Sequence, residues 1–443
     1  MANKISRCLH WFRNDLRLDD NLALAKSLEY DQVILVYILD EHFWKKDRWG
    51  HIKTGAFRTR FLFESIHDLK IEIEKIGGSL IIKQGKPEEI LPLLMEEFSC
   101  KTLIAQAEHT TEELGIEKLV EDAINKIGGN FNWIEGHTLY HPEDVKIIFD
   151  KIPDVFTTFR KKVERNCDVR DCIPAPKKIN CPPNLISDDV PDLAEFLKQY
   201  DQTPTPIDYR SSFPFEGGLS QARKRLKYYF WDNKCLSIYK KTRNQLFGQD
   251  YSSKFSPWLA NGSISPRRIR SEVKRYEDTY NPNQSTYWIV FELIWRDYFK
   301  FIAIQHGSRI FHKSGLKRKI TPSNQNKKLF DEWKKGETSD AFVNANMLEL
   351  LNTGYMSNRG RQNVASYLIH DLGIDWRLGA SWFEHLLLDY DPSSNVGNWI
   401  YIAGVGNDPR PIRKFNTLKQ AETYDRKNQY RNLWNSDISS KNL

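Results

Sequence analysis

The chain has 443 residues, more than a single hydrophobic core usually spans, so two domains are expected. Its 40% hydrophobic and 28% charged content is that of a globular protein, and no run of about 18 apolar residues marks a membrane span. The net charge of +7 permits a nucleic-acid partner without demanding one, and aromatics at 13% supply natural walls for a planar ligand or for stacked bases.

The N-terminal stretch alternates strand and helix signals. "CLHWF" and "QVILVYIL" read as short buried strands, and "FRTRFLFESIHDLKIEIEKIGG" as a helix ending at a glycine pair. The alternation continues through "SLIIKQG", "EEILPLLMEEF", "TLIAQAE" and "EELGIEKLVEDAINKIGG" to "NFNWIEG". This predicts an α/β domain over residues 1–135 built on a doubly wound parallel sheet. The turn after the first strand, "RNDLRLDDN", lacks G-x-G-x-x-G, so a dinucleotide is expected elsewhere.

Residues 136–216 hold Pro-rich, aperiodic stretches such as "IPAPKKINCPPNLISDDVPD" and read as a long connector over the surface. Residues 217–443 carry a helical period throughout and predict an all-α second domain. The basic segments 267–275 and 313–319 suit either phosphates or a solvated face. The six cysteines form no C-x-x-C pair and no His cluster, so no metal is expected. Free thiols and the absence of a signal-peptide core point to the cytoplasm.

Two places in the second half carry candidate chemistry. On the helix 285–303, Glu292, Trp295 and Arg296 share one face among large apolar residues. An i, i+4 ion pair would explain Glu292 and Arg296 on a surface helix, but here the pair is expected to edge a cavity. In "LLLDYDPSSNVGNWIYIAGVGNDPR", Asp391 before Pro392 is a helix start. That leaves Asp389, and Asn395 beside Trp399, unexplained. The segment "YMSNRGRQN" adds Arg359 and Arg361 with Asn358 and Gln362. Two arginines and two acids converging among aromatics would suit an electron-rich planar ligand.

The segments "ELIWRDYF", "YSSKFSPWLANGSISPRRI", "YMSNRGRQNVASYLIHDLGIDWRLGASWFEHLLLDYDPSSNVGNWIYIAGVGNDPR" and "KFNTLKQAETYD" resemble the photolyase/cryptochrome family, above all its cryptochrome-DASH branch. "HWFRNDLRLDDN" resembles the family's opening and "PDVFTTFRKKVE" its DASH-type connector. The resemblance spans nearly the whole chain and implies a light-driven flavoprotein with FAD folded in the helical domain. Tyr239 and the run Ser252, Ser253, Lys254, Phe255, Ser256 match the segment holding the FAD phosphates, and Arg296 matches a phosphate-binding arginine. Asn358, Arg361, Asp389 and Asp391 match positions around the flavin ring, and Asn395 the residue facing its N5. Glu292 and Trp295 match residues meeting a damaged pyrimidine pair, and Gln362 and Tyr401 the more polar DASH-type pocket. Glu108 matches a position contacting a folate antenna, methenyltetrahydrofolate, between the domains; an exposed loop carboxylate is an almost equal alternative.

The resemblance implies repair of cyclobutane pyrimidine dimers in single-stranded DNA by a monomer. The alternative is a blue-light receptor read by a partner protein, which the short tail after Lys414 and the retained Glu292 and Trp295 disfavour. Trp399 and Trp376 match the two inner tryptophans that feed electrons to excited oxidised flavin. The outermost one aligns with Ser323, so another aromatic is expected in its place. Asn344 and Leu348 replace an acid–base pair of the family, and "TSDA" replaces a Gly and a Pro, which leaves the local turn open.

Overall fold

The computed structural model describes residues 5–321, 324, 326–408 and 414–439, with side chains up to Ser436. Ser323, the aligned outer relay position, lies outside the described residues.

Five parallel strands, β1 (Arg7–Phe12), β2 (Gln32–Asp40), β3 (Leu80–Gly85), β4 (Thr102–Gln106) and β5 (Asn130–Ile134), form one sheet in the order β3-β2-β1-β4-β5. This is the doubly wound arrangement expected. All nine residues of β2 are buried, as a central strand covered on both faces requires. Period two sorts its side chains: Val33, Leu35, Tyr37 and Leu39 enter one core with Phe63, Ile66 and Leu69. Ile34, Val36 and Ile38 enter the other with Leu91, Leu94 and Val120. The strand order reverses at β1 and β4, so the crevice beyond their carboxyl ends is where such a sheet receives ligands. Arg13, Asn14 and Glu108 stand there.

The connector is more than a surface run, and this corrects the sequence reading. It contains the helices Pro142–Ile148, Phe156–Asn166 and Leu193–Lys198. Phe156, Phe159 and Val163 are buried in the helical domain's core, and Ile179 and Phe196 in one core of the sheet. It also covers the open edge of β3: Leu80 N donates to Ser187 Oγ at 3.1 Å and Ile82 N to Asp188 Oδ2 at 2.9 Å. An edge strand so satisfied is closed to further pairing.

Helices fill the described part of the second domain, among them Gln284–His306, Ala341–Thr353, Asn358–Ser366, Trp376–Leu386 and Pro392–Ile402. Trp258, Trp333, Trp376 and Trp399 are all buried in its core. The two domains meet closely at Gly262, where a Cβ would lie 2.0 Å from the Asn14 carbonyl oxygen and φ is +73. Only glycine fits that approach.

The turn left open by "TSDA" is closed by Asn344. Its Oδ1 accepts from Thr338 N at 2.9 Å and Thr338 Oγ1 at 2.7 Å, and its Nδ2 donates to Thr338 O at 2.8 Å. Asp340 then caps the helix Ala341–Thr353. Leu348 packs on an apolar cluster with Phe342, Tyr430 and Trp434. Both departures are thus repaid locally. Asn344→Ala leaves buried turn groups unpaired and is expected to cost about 1–3 kcal/mol. Thermal unfolding checks this; an unchanged Tm would refute the clamp.

Candidate active site

A cavity of about 300 Å³ opens in the helical domain. Its wall includes Tyr239, Ser252, Ser253, Lys254, Phe255, Ser256, Arg296, Asn358, Arg361, Asp389, Asp391 and Asn395, every helical-domain residue expected around the cofactor. Glu292, Gln362 and Trp399 line it too. Helices and loops far apart in the chain supply these groups, and local chemistry fixes them in place.

Asp391 is the N-cap of Pro392–Ile402, as the Asp-Pro pair predicts, and its Oδ1 accepts from Ser394 N at 2.7 Å. Its Oδ2 accepts from Lys300 Nζ at 2.8 Å. Both partners are buried. Burial works against the charge of Asp391, but Lys300 and Arg296 outweigh it and hold the carboxyl well below its ordinary range. Sequence reasoning missed Lys300. The signal was present, since Glu292, Arg296 and Lys300 recur every four residues on one helix.

Asp389 Oδ2 accepts from Arg361 Nη2 at 2.9 Å, while Arg361 Nε donates to Met356 O at 2.9 Å. Burial opposes the arginine's charge, yet the carboxylate beside it raises its pKa. Arg359 does not join these acids. It donates to Gln362 Oε1 and to Asn244 Oδ1, both at 3.0 Å, and packs on Tyr424. Asn395 Nδ2 donates to Ala380 O at 3.0 Å, which orients the amide.

Lys254 is 2% exposed, and its backbone sits at φ 65, a left-handed conformation costly for a side-chain-bearing residue. Its Nζ lies 3.3 Å from the centroid of Tyr251 and 4.7 Å from that of Tyr355 and has no hydrogen-bond partner. Burial pushes its pKa far down. Behind it, Glu349 is fully buried and accepts from Ser212 Oγ at 2.7 Å and Tyr430 Oη at 2.6 Å. Burial raises that carboxyl to about 7. A buried amine without a partner and a carboxylate oxygen, Asp389 Oδ1, also without one, are what an anionic, hydrogen-bonding ligand would satisfy. The residues present therefore fit a flavin dinucleotide.

Arg243 holds Glu292 in an ion pair, a partner the sequence did not reveal. Burial raises the Glu292 carboxyl against that arginine. Trp295 and Tyr401 are not in the cavity wall. Trp295 stacks on Phe156 of the connector, with centroids 3.6 Å apart, and meets Tyr401 edge-on at 6.4 Å. Trp399 is in the wall and is 2% exposed. Trp376 donates from Nε1 to Lys313 O at 3.0 Å and has no ring contact with Trp399 among the described residues.

A second cavity, about 820 Å³, lies between the domains at the sheet's switch point. Glu108 and Trp376 line it, and Asp391 and Asn395 border both cavities. Glu108 is buried, not an exposed loop carboxylate: Asn14 Nδ2 donates to it at 3.0 Å and His137 Nε2 lies 2.9 Å away. Burial brings His137 down to about 4, so the ring is neutral at neutral pH. In the same wall, burial and the neighbouring Glu108 raise Glu113 to about 7. Among the described residues, no His, Cys and acid cluster could hold a metal, and no helix is long and apolar enough to cross a membrane.

The family model "DNA photolyase" matches residues 8–180, and "FAD binding domain of DNA photolyase" matches residues 288–441. A cryptochrome DASH from Xenopus laevis is 46% identical over 439 residues, covering 98% of this chain and 83% of the relative. A solved Synechocystis cryptochrome is 41% identical with a TM-score of 0.92, covering 99% of this chain and 90% of that one. A bacterial class III photolyase from Agrobacterium tumefaciens is 27% identical with a TM-score of 0.83, over 98% of this chain and 87% of that one. A chain with this sheet, this helical domain and these relatives belongs to the photolyase/cryptochrome family, in its cryptochrome DASH branch.

Proposed function

We propose that this chain repairs cyclobutane pyrimidine dimers in single-stranded DNA with light. FAD occupies the helical-domain cavity, and a methenyltetrahydrofolate antenna the interdomain one. The observation that carries the reading is one wall holding both the flavin-facing set and Glu292 with Gln362. Bound reduced FAD supplies an electron to the lesion on excitation.

The chain's own residues do the rest. Lys254, Ser252, Ser253 and Arg296 hold the phosphates, and the bare amine of Lys254 regains its charge against them. Arg361, fixed by Asp389, favours negative charge on the ring beside it. Asn395 spends one N–H on Ala380 O and keeps its other N–H and its carbonyl oxygen for the ring edge. Glu292, with burial and Arg243 pulling its carboxyl in opposite directions, can accept or donate at a base edge. Gln362 has its carbonyl oxygen tied to Arg359, so its amide N–H groups remain for a base carbonyl. A polar pocket repays unstacking poorly, which favours a strand already single. Glu108 and the switch-point crevice support the antenna.

Two outcomes check this reading. Removing one partner of a buried charge pair costs about 3–5 kcal/mol, so Arg361→Ala should purify with little flavin, as its absorption spectrum would report. Full occupancy and unchanged stability would exclude the site. Trp295→Ala should weaken binding to dimer-containing single strands far more than to undamaged ones, and binding should fall with salt. Equal losses on both would make Trp295 a packing residue against Phe156.

The buried carboxyl behind Lys254 gives the fold a pH dependence of its own. Glu349 titrates at about 7 in the folded chain against an ordinary 4.5. Between those values the folded state holds a proton that the unfolded state has lost, so stability falls as pH rises through the window. Glu349→Gln in flavin-free protein should flatten that decline in denaturant unfolding across the window. A slope identical to wild type would mean that Glu349 is ionised when folded.

A further inference from the structure

Trp295 follows Glu292 by one turn of the helix Gln284–His306, yet it is half-buried and stands outside the cavity wall that Glu292 lines. A partly exposed indole can turn about its side-chain bonds unless something flat lies against it. Among the described residues, one ring does so. Phe156 of the connector lies on Trp295 with centroids 3.6 Å apart and planes 13° apart. Tyr298 and Tyr401 meet the indole edge-on at 5.8 and 6.4 Å, and Phe299 meets it at a tilt at 5.5 Å. A separation of 3.6 Å leaves almost no room for offset, and a directly faced pair is the less favoured arrangement of two rings. The surrounding structure has to hold it there.

Two kinds of contact do this. The ring of Phe156 is clamped by two others, Phe291 at 5.3 Å and 87° and Tyr298 at 5.5 Å and 68°. The backbone leading to it is tied to the same long helix. Ile152 N donates to Gln305 Oε1 at 2.6 Å, and Tyr298 Oη donates to Pro153 O at 2.9 Å. Three residues after Pro153 the helix Phe156–Asn166 begins, and its Phe156, Phe159 and Val163 are buried at helical spacing. Phe159 continues the contact, 5.3 Å from Tyr298 and 5.8 Å from Phe301. The segment "PDVFTTFRKKVE" thus delivers one flat ring to one face of one half-buried indole.

We propose that Phe156 is a positioning residue of the lesion site, backing the indole of Trp295 and fixing the plane on which a base of the dimer stacks. The proposal rests on the lesion reading above and deepens it, because it makes the connector a part of the substrate site. An indole has two faces. Phe156 takes one, and the exposure that Trp295 retains serves the other. An indole plane set before the strand arrives does not have to be ordered on binding, so the stacking energy goes to the lesion. An undamaged strand, held through its phosphates, gains nothing from that plane. Phe156 is only 6% exposed, touches no base and acts through Trp295.

The test measures binding of the flavin-loaded protein to a thymidine oligonucleotide carrying one cyclobutane dimer and to the same strand undamaged. Phe156→Leu keeps an apolar side chain of similar volume but removes the flat ring. It should weaken binding to the dimer strand severalfold and leave the undamaged strand unchanged. Placed in a Trp295→Ala background, it should cost no further lesion preference, since the indole it positions is gone. A merely structural residue would add its loss in that background and would weaken both strands alike. If Phe156→Leu does not fold, Phe156→Met carries the same expectations. Wild-type affinity for the dimer strand, equal losses on both strands, or an added loss of preference in the Trp295→Ala background would overturn the proposal. The two readings fail differently. Equal losses in Trp295→Ala alone sink the lesion site itself, whereas a lesion-selective Trp295→Ala beside an unaffected Phe156→Leu sinks only the backing role.

Discussion

The buried contact of Lys300 with Asp391 sets the geometry on which the helical domain depends. Each oxygen of that carboxylate has one task. Oδ1 starts the helix Pro392–Ile402 by accepting from Ser394 N, and Oδ2 ties that start to the long helix Gln284–His306. Asn395, Asn398 and Trp399 then face the cavity from one helix, and Glu292 and Arg296 from the other. Losing either charge would leave the other buried without a partner, a larger penalty than the pair's net worth. The pair thus serves register more than stability.

Around it, the charges divide into matched and unmatched. Arg361 with Asp389 and Arg243 with Glu292 are matched within the protein. Lys254 is not, because Glu349, an acid whose charge it feels, is raised to about 7 and gives its oxygens to Ser212 and Tyr430. A site that neutralised every charge internally would have nothing left to offer a dianionic pyrophosphate. The strained backbone of Lys254 and its bare amine are the cost of keeping one cation in reserve.

How much of this was legible in the sequence depends on the distance over which each residue finds its partner. The buried strand "QVILVYIL" and the Asp391-Pro392 helix start are local patterns, and both appear in the structure as read. Lys300 was overlooked, although its spacing from Arg296 is also local, because nothing in the sequence marks a lysine as buried. Arg359 looked equivalent to Arg361, yet the two diverge because residues two apart on a helix point to different faces. The connector was misread for a related reason. Proline and aspartate dominate its composition, whereas Phe156, Phe159, Ile179 and Phe196, which pin it into two cores, are too sparse to show a period. Glu108 could equally have been exposed; only the approach of Asn14 and His137 from distant segments buries it.

The two cavities share a wall, and that sharing ties the domains into one device. Asp391, Asn395 and Tyr390 border both, so the helix start that orients the flavin side also closes the far side of the switch-point crevice. Arg58 lies 4.6 Å over Tyr390 from the helix Ala56–Glu74, which also supplies Phe63, Ile66 and Leu69 to the sheet's core. Gly55, just before that helix, donates to His385 O at 2.9 Å. A shift of the sheet against the helical domain would therefore move Tyr390 and the Asp391 cap with it. Close contacts such as Gly262 on Asn14, where no side chain fits, hold the two cavities at a constant separation, which energy transfer from the proposed antenna to the flavin would require.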